Sequence, residues 1–312
     1  MPYTAVIILQ YGGADLTRQC IDSLLEVNSA PVKFIVVDNA SPETDAPDKI
    51  HDYIRERFPH SYLDTDTSFR LTNDVTLPAA TLVRSGTNRG YARGNNIGIR
   101  LAFDDPEIDS ILISNPDIIY TRNIIPKLKV DAFLQHDSAL VGPVLYRPGE
   151  TAPHPSTGRH PVNLADLTRI NFRLLRPPRD VIERTYIDIP VNAGMLPIEL
   201  ISGGCFFVLK EVFQKIGGFD PGTWLYYEEN ILWERISQLG LRNYIDTSTS
   251  AIHLIGETIN RRPRFPIVKA GLESQRHLVK TYFRPRFFRR LLYDLSVSWS
   301  YSILYLRNLL RK

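Results

Sequence analysis

The sequence has almost no cysteine: Cys20 and Cys205 are the only two in 312 residues. They stand far apart in apolar surroundings and at no metal-ligand spacing, which excludes a disulfide framework and suits buried thiols in a reducing compartment. An uninterrupted apolar run of about 20 residues, the length a membrane-crossing helix needs, is also missing. The opening Met1-Pro2-Tyr3-Thr4 has no basic residue ahead of the apolar run at 5–9, so that run reads as a strand and not a secretion signal. Charge of one sign is scarce as well, with a formal net of +3. Its placement is uneven. Residues 276–312 hold nine Lys or Arg against one acid, a surplus of +8, so the first 275 residues are net −5. A basic tail on an acidic body argues against nucleic acid as a partner.

What is present is an ordinary globular composition, 43% hydrophobic and 23% charged, enough to bury a core without staples. Residues 4–9 (TAVIIL) and 33–38 (KFIVVD) are short β-branched runs, and Leu16, Cys20, Leu24 and Val27 between them recur at helical spacing. This is a βαβ unit. Parallel strands need such a crossover, and open sheets of this kind bind ligands beyond the carboxyl ends of their strands. The first site therefore falls near Gln10, Tyr11 and Asp38. A helix is expected near 46–57, an irregular polar insertion up to residue 80, and a short strand at 80–84. Asn88-Arg89-Gly90 and Asn95 open the next helix, and a buried strand at 110–114 ends at Asn115-Pro116-Asp117. The proline-rich stretch 143–197 reads as a surface excursion able to fold over a substrate, with one helix at 164–174. A strand spans 200–208 through the pair Gly203-Gly204, a helix follows at 210–216, and Trp224-Leu225-Tyr226-Tyr227-Glu228-Glu229 introduces another that runs to residue 239, with both acids just inside it. Two strands, 242–245 and 249–253, complete the globular part.

Several of these residues carry chemistry. The Asp38 carboxylate, at a strand end, can accept from a nucleobase imide or a ribose hydroxyl. Asp117 offers an anionic ligand of the kind a diphosphate-bound Mg²⁺ or Mn²⁺ takes, since those cations draw only one or two ligands from protein. Glu228 and Glu229 follow an aromatic cluster on which a sugar ring can stack, and point about 100° apart, so one of them faces the reacting atoms. His253 ends a strand and can reach the same carboxyl-end cleft as Asp117.

In their order and spacing the blocks VIILQY (6–11), VVDNAS (36–41), NRGYARGNNIGI (88–99), SNPDI (114–118) and GGCFFVLKEVFQKIGGFD…WLYYEENILWER (203–235) resemble family 2 glycosyltransferases of the GT-A fold, in the rhamnosyltransferase-like branch. The resemblance covers residues 4 to about 253. It implies an α/β fold, a Rossmann-like mixed sheet flanked by helices, with a nucleotide-sugar-binding half (1–125), an acceptor-binding half (126–265) and a C-terminal helical tail (266–312). By the same resemblance Asp38 contacts the nucleobase, with Gln10 and Tyr11 in the donor-binding backbone stretch alongside it, and Asn88, Arg89 and Asn95 line the nucleotide and sugar. Asn115 and Asp117 stand in the metal-binding DXD-type motif, Gly203 and Gly204 pass beneath the sugar, and His253 completes a divalent cation site with Asp117. Trp224 and Tyr227 fall on the acceptor side. The family motif there is aromatic-Tyr-Glu-Asp, so Glu229 takes the place of the basic Asp, with an additional methylene, and Glu228 precedes it.

The implied activity is inverting transfer from a nucleotide-diphospho-sugar, of dTDP-rhamnose or UDP-hexose type, to a glycan or lipid-linked acceptor in cell-surface polysaccharide synthesis. Two other readings stand beside it. A sugar nucleotidyltransferase would carry a lysine in the glycine-rich turn after the first strand, which Gln10-Tyr11-Gly12-Gly13 lacks. A non-catalytic carbohydrate-binding or scaffold protein would tolerate the Glu-Glu departure and Ile231. In the tail, Leu291, Leu295, Trp299, Ile303, Leu306 and Leu310 recur every three or four residues. Residues 284–312 are expected to lie on the inner face of the cell membrane, making this a peripheral cytoplasmic protein; packing on the catalytic domain or on a second copy is the alternative.

Overall fold

The computed structural model describes residues 2–43, 45–72, 75–254 and 264–310. Strand β1 (Tyr3–Gln10), helix α1 (Ala14–Val27) and strand β2 (Val32–Asp38) form the expected parallel unit, in register Gln10 against Asp38. Helix α2 (Ala46–Arg57) is followed by β3 (Tyr62–Asp66), a strand in the segment expected to be irregular. Its residues are half-buried at the sheet edge, so they lack the apolar run that marks an interior strand. Next come β4 (Ala80–Arg84), α3 (Gly90–Asp104) and β5 (Ile108–Ser114), then the short β6 (Ile118–Ile119), α4 (Ile125–Leu134) and β7 (Ser138–Tyr146).

The excursion holds β8 (Gly158–Arg159), α5 (Leu164–Phe172), α6 (Arg179–Thr185) and β9 (Met195–Ile198). The apolar run at 200–208 is two strands, not one: β10 (Leu200–Ile201) pairs with β8, and β11 (Cys205–Leu209) enters the main sheet. The glycine pair is the break between them. Helices α7 (Lys210–Ile216) and α8 (Glu228–Gln238) lead to β12 (Arg242–His253), which is continuous where two strands were expected. Its pairing with β7 shifts register between Asp246 and Ser250, so the polar Asp-Thr-Ser-Thr segment is absorbed as an irregularity. Helices α9 (Arg264–Leu278) and α10 (Phe287–Leu309) follow.

The main sheet runs β3-β4-β2-β1-β5-β11-β7-β12-β6, with β9 also on β12. Strands β3 to β5 are mutually parallel, β11 is antiparallel to both neighbours, and β7 and β12 are parallel. Alternate residues of each strand enter different cores. Val6, Ile8 and Val36 pack under α1, α2 and α4, while Ile7 and Ile35 pack under α3, α7 and α8. Each such buried Ile or Val contributes about 1.5–3 kcal/mol. Helix α3 comes especially close to the sheet because a Cβ on Gly94 would meet Leu9 at 2.5 Å and one on Gly98 would meet Ile7 at 2.8 Å. A third, smaller core joins Leu167, Ile231, Leu272, Tyr293 and Val297, and so binds α9 and α10 to α5 and α8. Cys20 and Cys205 are buried free thiols, each pushed up to about 12 by burial.

Candidate active site

The carboxyl ends of β1 and β2 place Gln10 and Asp38 side by side, both buried. Gln10 Nε2 donates to Asp38 at 3.2 Å, and Ser41 Oγ donates to the same oxygen at 2.6 Å. The Asp38 carboxylate is thus fixed by its own turn. Asn39 extends the cradle, donating to Asn88 Oδ1 at 3.1 Å and accepting Arg89 N–H at 2.9 Å. Asn88 in turn accepts Gly90 N–H at 2.9 Å, while the Arg89 side chain is exposed at the start of α3. Tyr11 is half-buried just past β1. Asn95 is fully enclosed in α3, donating to Tyr91 O at 3.0 Å with its own Oδ1 lacking a partner.

Beyond β5, Asn115 N–H donates to Gly204 O at 2.7 Å, which turns the chain so that Asp117 sits under the end of β12. There His253 pairs with Ile118, and its Nε2 lies 3.2 Å from Asp117 Oδ1. His253 Nδ1 is buried without a partner. A carboxylate and an imidazole converging in this way, with one ring nitrogen unsatisfied, fit a divalent cation whose remaining ligands come from a diphosphate and water. Among the described residues no third His, Cys, Asp or Glu joins them.

Gly203 and Gly204 lie directly against two of these side chains. A Cβ on Gly204 would stand 2.9 Å from His253 Cε1, and one on Gly203 would stand 3.0 Å from Glu229 Oε1. Glu229 accepts Gly203 N–H at 3.2 Å, and the Arg159 guanidinium lies 3.7 Å from the same oxygen. Tyr91 OH donates to Gly203 O at 2.5 Å from the other side. Glu228 is buried, with Oε1 unpartnered, and its carboxyl is pushed up to about 8 by burial and then by the charge of Glu229. The two acids therefore differ. Glu228 holds its proton at neutral pH, while Glu229, beside a cation and an N–H donor, is the accessible carboxylate.

Both acids are delivered by a strained turn: Tyr226 and Tyr227 adopt φ of +68° in succession, a conformation that costs a side-chain-bearing residue about 1–3 kcal/mol. Tyr227 caps α8, and its hydroxyl accepts from Gln275 Nε2 of α9 at 2.7 Å. Trp224 stands behind this turn, its carbonyl accepting Tyr91 N–H at 2.8 Å and filling the space where a Gly90 side chain would be.

A cavity of about 990 Å³ joins these parts, running from Asn115 and His253 past Gly203 to Glu229, Tyr226 and Tyr227. Arg159 and His154 of the excursion and Val268 and Gln275 of α9 form its far walls. These last four were not found by sequence reasoning. Nothing local marks Arg159 or Gln275: the one lies in a two-residue strand, the other on a helix 48 positions from the tyrosine it holds.

The profile described as Glycosyl transferase family 2 matches residues 5–217. A low-salt glycan biosynthesis hexosyltransferase, Agl10, of Haloferax volcanii is 25% identical over 72% of this chain and 58% of its own length. An N-acetylglucosaminyl-diphospho-decaprenol L-rhamnosyltransferase of Mycobacterium tuberculosis is 26% identical over 60% of this chain and 62% of its own. The chain thus spans about three-fifths of the length of these curated relatives. Among solved structures, GalNAc-T7 with UDP, GalNAc and Mn²⁺ superposes with a TM-score of 0.59 at 13% identity, over 90% of this chain and 48% of that one. The mannosyltransferase PcManGT from Pyrobaculum calidifontis, with GDP-Man and Mn²⁺, gives 0.55 at 14% identity, over 98% and 74%. At such identities the likeness shows the fold, a mixed sheet flanked by helices of GT-A type.

Proposed function

The chain belongs to glycosyl transferase family 2, and on that premise we infer that it transfers a sugar, with inversion, from a nucleotide-diphospho-sugar to an acceptor hydroxyl held in the cavity. The observation that carries this reading is the placement of Glu229 and His253 along one cavity, each against its own glycine of the Gly203-Gly204 pair, with Asp117 Oδ1 3.2 Å from His253 Nε2. Asp38, Gln10 and the Asn39–Asn88 turn hold the nucleoside, by the fixed carboxylate and amides at the ends of β1 and β2. Asp117 and His253 hold a divalent cation, Mn²⁺ or Mg²⁺, which when bound offsets the charge of the departing diphosphate.

Glu229 takes the proton of the acceptor hydroxyl as its oxygen bonds to the anomeric carbon. The bond from that carbon to the diphosphate oxygen breaks with its electron pair, and the nucleoside diphosphate leaves. Glu229 is favoured over Glu228 because it is the less buried of the two, whereas burial raises the Glu228 carboxyl and disfavours its ionised form. Tyr226 and Tyr227 supply apolar faces for a sugar ring. The names of the hexosyl- and rhamnosyltransferase relatives support a hexose or rhamnose as the sugar moved and a diphospho-lipid-linked glycan as acceptor. We take the donor as dTDP-rhamnose or a UDP-hexose and the setting as cell-surface polysaccharide synthesis at the cytoplasmic face of a membrane.

Donor consumption and sugar transfer measured for Glu229→Gln and Asp117→Ala test this assignment. Loss of about 10²–10⁴-fold in the first is expected from removal of a general base; unchanged turnover in both proteins overturns it.

A further inference from the structure

The C-terminal helix α10 is inverted relative to an ordinary surface helix. Beside Tyr293 and Val297, which join the third core, its buried face carries polar groups: Ser296 accepts from Asn171 Nδ2 at 3.3 Å, Ser300 Oγ donates to Asn171 O, and Tyr293 OH donates to Gln275 at 3.0 Å. Its outward face is apolar. Phe287 is 72% exposed, Phe288 81% and Leu310 87%, with Leu291, Leu295 and Trp299 about half exposed between them. An ordinary amphipathic helix places its apolar stripe on the core and its hydroxyls in water. Rotating α10 to do so would break three buried hydrogen bonds, so the outward stripe is a fixed property of the fold.

The charges around it have one sign. Arg284, Arg286, Arg289 and Arg290 gather at the amino-terminal end of α10, Arg276 and Lys280 stand beside them, and Arg307 lies near the other end. The sole acid on the helix is Asp294, 3.6 Å from Arg290. A cavity of about 810 Å³ lined by Arg284, Arg286 and Arg289 opens at this end, against Glu234 on its inner wall. Among the described residues no helix is long and apolar enough to cross a membrane.

We propose that α10 is a docking surface for an anionic lipid bilayer, lying flat with Phe287, Phe288, Leu291, Leu295 and Trp299 among the acyl chains and the arginine cluster on the phosphate headgroups. At 1.5 Å per residue the 23-residue helix provides about 35 Å of contact. A second copy of the chain fits the same face poorly. Two such helices packed on each other, parallel or antiparallel, bring arginines together with Asp294 as the sole acid to answer them, whereas anionic headgroups answer every one.

The surface also meets the proposed acceptor site, and to that extent this proposal rests on the transferase reading. Leu175 and Val268 wall both the large cavity and a smaller one of about 240 Å³ whose other side is Leu304 and Arg307 of α10. Apolar side chains thus form the partition between the cavity that holds Glu229 and the one beside the helix.

Flotation of the full chain with vesicles of phosphatidylglycerol and phosphatidylcholine, against phosphatidylcholine alone, tests the proposal. The wild type is expected to float with the anionic vesicles, and both Phe287→Ser/Phe288→Ser and Arg286→Glu/Arg289→Glu to partition at least about tenfold more weakly. These side chains are exposed, so an unchanged melting temperature will show that the variants fold. Failure of the wild type to float, equal flotation of both variants, or a dimer in light scattering that Leu295→Glu dissociates would overturn it. Stabilisation by UDP or dTDP with Mn²⁺, measured on the same proteins, reports the donor site separately. Failure of the wild type to float with nucleotide binding retained refutes the docking surface alone and leaves the donor-site reading standing.

Discussion

His253 Nε2 lies 3.2 Å from Asp117 Oδ1, on a strand and a turn separated by 135 residues. The two are brought together by the antiparallel pairing of Ile118 with His253, at the end of a strand whose partner is only two residues long. If this pair holds the cation, Asp117→Asn and His253→Ala should each weaken Mn²⁺ binding in the presence of a nucleoside diphosphate by at least about 10–100-fold. Isothermal titration measures it. Affinity equal to wild type in both would remove the metal assignment.

The Gly203-Gly204 pair allows the backbone to pass directly beneath Glu229 and His253. Gly204→Ala should displace His253, because the new Cβ would stand 2.9 Å from its ring, and Gly203→Ala should shift Glu229. A misplacement of about 1 Å is enough to lower kcat about 100-fold. Steady-state kinetics should find the fall in kcat with donor KM nearly constant for Gly203→Ala, and with weakened Mn²⁺ activation for Gly204→Ala.

The buried Glu228 carboxyl, pushed up to about 8, makes stability depend on pH. A folded-state pKa above the unfolded value of about 4.3 means that the folded protein retains a proton the unfolded chain releases. This contribution is whole below about pH 4.3 and is lost as pH rises toward 8. Glu228→Gln keeps a neutral side chain of the same shape at every pH. Its melting temperature relative to wild type should therefore climb between about pH 5 and 8, at roughly 2–4 °C per kcal/mol recovered. Calorimetry across that range checks the slope; a difference independent of pH would contradict it.

Gln275 ties the acceptor turn to the C-terminal helices. It donates to Tyr227 OH at 2.7 Å on the cavity wall and accepts from Tyr293 OH at 3.0 Å and from Asn171 Nδ2 at 2.8 Å, the latter two buried. Gln275→Ala leaves the Tyr293 and Tyr227 hydroxyls without this partner and Asn171 Nδ2 with Ser296 alone, at about 1–3 kcal/mol for each group that water cannot reach. It should also loosen Tyr227, raising acceptor KM more than donor KM. Denaturant titration and a comparison of the two KM values separate the structural effect from the positioning one.

The sequence marked the strands that lie inside the sheet because they are buried on both faces, and such strands are nearly unbroken apolar runs. β1, β2, β4 and β5 were legible for that reason. β3 was not, since an edge strand needs no such run, and β7 went unread where Pro143 was taken as the start of a proline-rich excursion. Helix limits were recovered wherever apolar spacing and a terminal glycine coincided, as for α7, closed by Gly217. The gap between β10 and β11 was misread because Gly203-Gly204 sits inside an apolar run; the glycines serve His253 and Glu229, which a linear pattern cannot show.

Local chemistry therefore determined a good deal alone: a parallel βαβ start, carboxylates at strand ends, two acids after an aromatic cluster, and an amphipathic, basic C-terminus. Each follows from spacing or composition along one contiguous stretch of chain. Tertiary structure decided the rest. It set Asp117 against His253, made Glu228 and Glu229 chemically unlike by burying one and placing Arg159 and Gly203 N–H at the other, and turned the apolar face of α10 outward by bonding its serines and Tyr293 to Asn171 and Gln275. The reason is common to all three. Protonation, metal affinity and exposure depend on which groups surround a side chain in space, and here those groups come from elements more than 100 residues apart, or from elements that touch only after the sheet has formed.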